Sequence, residues 1–185
     1  QDNAFQARSA AASQTDTAAR AFAEVSTMVR TLQDAGVAVH LFEDTGQHTP
    51  DAVFPNNWFS THAGGHVAVY PMAIPSRRRE RRQDVIELLK QEYRVQDVID
   101  YSGLEQDQVY LEGTGAMVLD HIDRVAYVAR SNRANPLALE RFCTHFNFEP
   151  VLFDAADAQG RAVYHTNVLM CIGTDFAMAD FDMIA

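Results

Sequence analysis

The sequence predicts an α/β fold assembled from repeated strand-strand-helix-strand (ββαβ) units, and three observations carry that prediction. Polar clusters at Pro55-Asn56-Asn57, Glu112-Gly113-Thr114 and His165-Thr166-Asn167 recur at intervals of roughly 55 residues, a period of the size that marks repeat architectures. Two short apolar runs follow each cluster, at 58–60 and 66–70, at 117–120 and 125–129, and at 168–172 and 176–179. Between successive hairpins the apolar spacing changes to three and four, the signature of an amphipathic helix. Equivalent points of stacked or circular repeats meet at one face or axis. The amides, carboxylate and imidazole of the three clusters are therefore expected to line a single pocket.

From about Thr15 to Ala35, apolar residues at Ala18, Ala21, Phe22, Val25, Met28, Val29 and Leu32 predict the first helix, which Gly36 stops. Val37–Phe42 reads as a strand, and a loop over 43–50 leads to the first hairpin. Ser76–Tyr93 reads as one helix with a basic first turn and a stripe of Val85, Ile86, Leu89 and Tyr93, followed by a strand at Arg94–Asp100. The third helix has the clearest start: Asn135 as cap and Pro136 at the first helical position, then Leu137, Leu139, Phe142 and Phe146. Pro150–Phe153 is the strand after it. The unit is thus seen twice in full. The chain starts just before a helix and stops after a hairpin, and a repeat of this kind cannot bury its apolar faces alone. The expectation is one domain over 1–185 that is truncated at both ends, with Gln1 in place of Met agreeing with a missing natural N-terminus.

With 185 residues, 47% hydrophobic and 22% charged, the composition is that of a globular domain with a sizeable core. A formal charge of −10 argues against a nucleic-acid surface and favours a cationic or zwitterionic small ligand. The basic run Arg77 to Arg82, broken by Glu80, reads as a solvated helix face. Cys143 and Cys171, without a CxxC or secretory framework, fit a reducing compartment, and the expected location is cytoplasmic. No apolar stretch approaches the roughly 20 residues that span a bilayer. His62 and His66 have the H-x₃-H spacing of some zinc sites, but Ala63-Gly64-Gly65 between them reads as a hairpin turn, so no metal is expected.

The segments from Asp51 to His62, from Leu111 to Gly115 and from Tyr164 to Asn167 resemble the bacterial amidinotransferase-like hydrolases associated with citrulline utilisation. These belong to the guanidino-group-modifying pentein superfamily, with arginine deiminase, dimethylarginine dimethylaminohydrolase and glycine amidinotransferase. Pro75-Ser76-Arg77-Arg78 with Glu80 resembles a dimethylarginine-hydrolase segment, and Ser131-Asn132-Arg133 a substrate-binding loop of the deiminases. The resemblance covers almost the whole chain. It implies an α/β propeller of five ββαβ blades, incomplete in this chain.

Substitution at a guanidino or ureido carbon needs an activated nucleophile, a proton-transfer group and acceptors for planar N–H groups. His165 suits proton transfer near neutral pH. Glu112 suits the acceptor role. Taken alone, His165 would read as a core histidine, Glu112 as a turn carboxylate and Asn56-Asn57 as turn residues; the motifs around them favour a site. The resemblance implies that His165 and Glu112 work with a cysteine thiolate that forms a thiouronium-type intermediate, and it puts that cysteine beyond residue 185, so residues 1–185 alone are expected to be inactive. Cys143 and Cys171 are expected to be buried packing thiols, Cys171 at an interior strand position. Arginine-processing relatives carry carboxylates where this chain has Asn56-Asn57 and Asn167, which suggests a neutral citrulline-like substrate. Arg133, with Arg77 or Arg78, would clamp the substrate's α-carboxylate, and Phe54 is placed among the substrate contacts. The reading is a hydrolase of ureido or guanidino C–N bonds in an amino acid, without cofactor, with no nucleic-acid or membrane partner and with a homodimer left open. The alternatives are an amidinotransferase, or a non-enzymatic pentein-fold binding module such as the ribosome anti-association factors.

Overall fold

The computed structural model describes residues 14–44 and 48–185, and the chain divides into two compact units, 1–45 and 46–185. In the first, helix α1 (Gln14–Asp34) ends where Gly36 takes a left-handed conformation at φ +83° and the amide of Val37 donates to the Leu32 carbonyl. The strand expected at Val37–Phe42 is absent among the described residues. β-Propensity alone does not make a strand, because a strand exists only as part of a hydrogen-bonded ladder. Residues 45–47 of the loop that follows lie outside the described residues.

The second unit carries the repeats. Strands β1 (Phe59–His62) and β2 (His66–Val69) pair antiparallel, and β3 (Asp97–Asp100) returns to pair parallel with β2. The next unit repeats this order: β4 (Val118–Asp120) and β5 (Val125–Ala129) form a hairpin, and β6 (Glu149–Phe153) pairs parallel with β5. A third hairpin, β7 (Met170–Ile172) with β8 (Ala177–Ala179), stands as a two-stranded sheet. The three sheets are successive blades of an open pentein propeller.

The expected single helix over Ser76–Tyr93 is two: α2 (Pro75–Arg78) and α3 (Gln83–Glu92). The break falls in the basic run, where Arg82 turns extended at φ −113°, ψ 119°. Arg77 is held by Glu80 on one side of the break while Arg81 pairs with Glu105. These are buried and half-buried ion pairs, so the basic run is not the solvated helix face expected. A further short helix, α4 (Gly113–Ala116), and the second crossover helix, α5 (Pro136–Phe146), complete the set. The Asn135 side chain caps α5 by accepting from the Leu137 amide at 2.9 Å.

α5 buries Ala138, Leu139, Phe142, Cys143 and Phe146, whereas Leu137 faces solvent. Its aromatic face reaches the preceding blade: Phe142 lies 5.9 Å from the Tyr70 ring, and Phe146 lies 4.3 Å from His62. Burial pushes the Cys143 thiol up to about 11. Cys171 is exposed, contrary to the interior position expected: in a two-stranded hairpin it shares its face with its register partner Met178, which is also exposed.

At this junction His62 bonds Ser60 Oγ at 2.7 Å, and burial, reinforced by His121, Arg124 and His66, pulls its pKa down to about 4. Because the folded chain favours the neutral ring, this contribution is complete above the ordinary histidine value of about 6.5 and is lost as pH falls toward 4. Solvent at the partly exposed ring reduces the effect to about 1–2 kcal/mol. Denaturation midpoints measured between pH 7 and pH 4 should fall accordingly, and a His62→Gln variant should show a flatter profile.

Candidate active site

Each polar cluster opens its hairpin in a tight turn: 3₁₀ turns at Pro55–Asn57 and Thr166–Val168, and α4 after Glu112. α4 packs against both 3₁₀ turns, so the three clusters come together. The close approach has a backbone cause. Gly113 sits at φ +49°, and a β-carbon there would lie 2.2 Å from the Asn56 carbonyl oxygen. Gly115 leaves room on the other side, since a β-carbon would lie 2.1 Å from the Asn57 amide and 2.9 Å from His165 Nδ1.

Glu112 is the hub and is wholly buried. Its Oε1 accepts from the Ala73 amide at 3.0 Å, and its Oε2 meets Arg133 Nη1 at 3.0 Å and His165 Nε2 at 2.8 Å. Burial alone would raise the Glu112 carboxyl, but the His165 hydrogen bond and the Arg133 charge outweigh it and hold the group below its ordinary value. Burial lowers the His165 imidazole despite the carboxylate beside it. The consistent state is an ionised Glu112 accepting from Nε2–H of a neutral His165, which leaves the Nδ1 lone pair facing Gly115.

Arg133 is fixed from several sides. Its guanidinium lies 5.4 Å from the Tyr164 ring centroid, its carbonyl accepts from the Glu112 amide, and its own amide donates to Ser131 Oγ. The Ser131 hydroxyl in turn donates to the Tyr164 carbonyl beside His165. Thr166, fully buried, donates to the Ala116 carbonyl at 2.5 Å and accepts from the Ala129 amide at 2.8 Å. It thereby ties the His165 turn to α4 and β5. Spacing alone does not single out Thr166 or Gly115. Both lie inside the motifs, but what they touch is visible only once the blades are assembled.

Arg77 is not open to a ligand carboxylate. Its guanidinium is buried on Glu80 at 3.0–3.2 Å and on the carbonyls of Asp51 and Phe54. With the Asn57 amide oxygen turned toward it, that oxygen accepts from Nη1 at 2.7 Å and Nη2 at 3.1 Å. Arg78 donates to the Met72 and Ala73 carbonyls, bracing the segment that binds Glu112. Asn57 is buried and Asn56 half-buried, whereas Asn167 is exposed and Phe54 is 53% exposed. His66 pairs with Asp97 at 2.7 Å. An open cleft of about 320 Å³ lies elsewhere, beside Trp58, Arg81, Ile86 and Lys90. None of Glu112, Arg133 or His165 lines it.

The fold is that of a pentein. A family model described as N,N dimethylarginine dimethylhydrolase, eukaryotic, matches residues 1–185, and the chain belongs to that family. Among solved structures it resembles apo ArgZ, an arginine dihydrolase from the ornithine-ammonia cycle in cyanobacteria. That match has a TM-score of 0.71 and 17% identity, covering 91% of this chain and 25% of that one. The substrate-bound N-terminal domain of ArgZ matches with a TM-score of 0.69 and 17% identity, covering 90% of this chain and 57% of that one. A dimethylarginine dimethylaminohydrolase, solved as an adduct with 4-chloro-2-hydroxymethylpyridine, matches with a TM-score of 0.66 and 16% identity, covering 87% and 60%. The chain thus spans a quarter to three-fifths of these relatives. No curated protein sequence matches it. Among the described residues, no helix is long and apolar enough to cross a membrane.

Proposed function

We propose that the protein hydrolyses a C–N bond in the guanidino or ureido group of an arginine-like amino acid, with citrulline as the favoured substrate. The observation that carries this reading is the buried Glu112–His165 pair with Arg133 on the same carboxylate oxygen. A buried charged group of this kind is weak as a stabilising device, and its presence beside a titratable imidazole favours chemistry over a binding scaffold. The names of the family and of the structural relatives supply the substrate class.

In the proposed reaction a cysteine thiol, supplied from outside residues 1–185, gives its proton to His165 Nδ1 and adds to the ureido carbon. Collapse breaks the C–N bond, and the departing amine takes that proton from the imidazole. Water then attacks the resulting thiocarbamate carbon, again giving a proton to Nδ1; the cysteine sulfur leaves and takes that proton back, and the carbamic acid left behind loses CO2 to free the second amine. Glu112 holds the imidazole in the tautomer this requires and balances its positive charge.

The test is release of ammonia and ornithine from citrulline by the complete gene product, with arginine alongside. Citrulline turnover is expected. Glu112→Gln is expected to lower kcat/KM by about 10²–10⁴-fold. Arginine turnover far above that of citrulline would overturn the substrate choice, and silence of folded protein with both would overturn the reaction.

A further inference from the structure

We infer that Arg77 is a positioning residue that fixes the Asn57 amide with its oxygen toward the guanidinium and its NH₂ toward His165, so that the centre offers a hydrogen-bond donor where a substrate's ureido oxygen would lie. This deepens, and rests on, the function proposed above. An amide side chain has two orientations related by a half-turn, and its partners decide between them. With Oδ1 toward Asn56, Asn57 gains one contact at 3.5 Å and turns its NH₂ against a guanidinium that can only donate. With Oδ1 toward Arg77 it gains two bonds, at 2.7 and 3.1 Å.

Arg77 is itself immobilised, because buried Glu80 takes its Nε and Nη2 while the Asp51 and Phe54 carbonyls accept from Nη2. Orientation is thus passed from Glu80 through Arg77 to Asn57. The other edge of the amide packs against Gly115, whose missing side chain lets it and His165 Nδ1 approach the same point. A ureido oxygen accepts and a guanidinium only donates, so an NH₂ on this edge satisfies the first and opposes the second. A mismatch of this kind at a buried polar group changes relative binding by about 10–100-fold.

Nuclear Overhauser spectra of the isotope-labelled complete gene product test the orientation directly. Cross-peaks from the Asn57 NH₂ to the Gly115 α-protons and the His165 ring are expected; cross-peaks to the Arg77 guanidinium protons in their place would overturn it. Replacing both partners, Arg77→Met with Glu80→Met, avoids stranding a buried carboxylate and is expected to give both orientations, with Arg77→Lys partly restoring one. Titration with citrulline and arginine then reads the consequence. The wild type should favour citrulline about 10–100-fold and Asn57→Asp should reverse the preference, whereas a ratio untouched by Asn57→Asp would overturn the selectivity argument. If neither amino acid binds, the proposed function fails while the cross-peaks still decide the orientation.

Discussion

Truncating Glu112 to alanine is expected to lower folding stability by about 3–5 kcal/mol. The carboxylate accepts from a backbone amide, a guanidinium and an imidazole, and Glu112, Arg133 and His165 are all nearly fully buried. Its loss leaves the Arg133 charge without that counter-ion and the Ala73 amide without its acceptor, in a place water does not reach. Glu112→Gln retains the shape and an acceptor for one donor, so a smaller loss of about 1–3 kcal/mol is expected. Denaturant unfolding of the two variants measures both numbers, and a loss below about 1 kcal/mol for Glu112→Ala would mean that the centre is far more hydrated than its geometry indicates. The effect is pH-dependent. Because the folded-state value of Glu112 is depressed, its contribution is present above the ordinary carboxylate range and disappears as pH falls through the folded value.

Phe142→Ala should cost a comparable amount, about 3–5 kcal/mol, for a different reason. Phe142 is completely buried and touches aromatic partners in both blades: Tyr70 in the first, Phe146 and Phe148 in the second. An alanine would leave a cavity at the seam, and close-packed neighbours relax into such a space only in part. Phe142→Leu fills most of the volume and should recover more than half the loss. Thermal unfolding of the two variants checks the order.

The repeat made much of this architecture readable from the residues. Hairpin positions, the strand after each crossover helix and the Asn135 cap follow from periodicity and turn chemistry, which are local properties. Where the reading failed, a tertiary contact decided the outcome. Ser76–Tyr93 has continuous helical spacing, yet the helix is interrupted between α2 and α3, where Arg81 pairs with the sequence-distant Glu105. Val37–Phe42 has strand-like residues but belongs to no ladder among the described residues. The same limit applies at the site. The clustering of Glu112 and His165 could be inferred from spacing, whereas the commitment of Arg77 to Asn57 depends on the approach of the 55–57 turn to α2, which no linear pattern records.

In the proposed reaction His165 is a neutral imidazole held through Nε2 by Glu112, with Nδ1 left to move protons. Nitrogen-15 NMR of the His165 ring, followed from pH 4 to pH 9, tests this directly. The expected result is an Nε2-protonated neutral ring at pH 7 with a midpoint below the ordinary histidine value of about 6.5. A ring that is cationic at pH 7, or neutral with its proton on Nδ1, would contradict it.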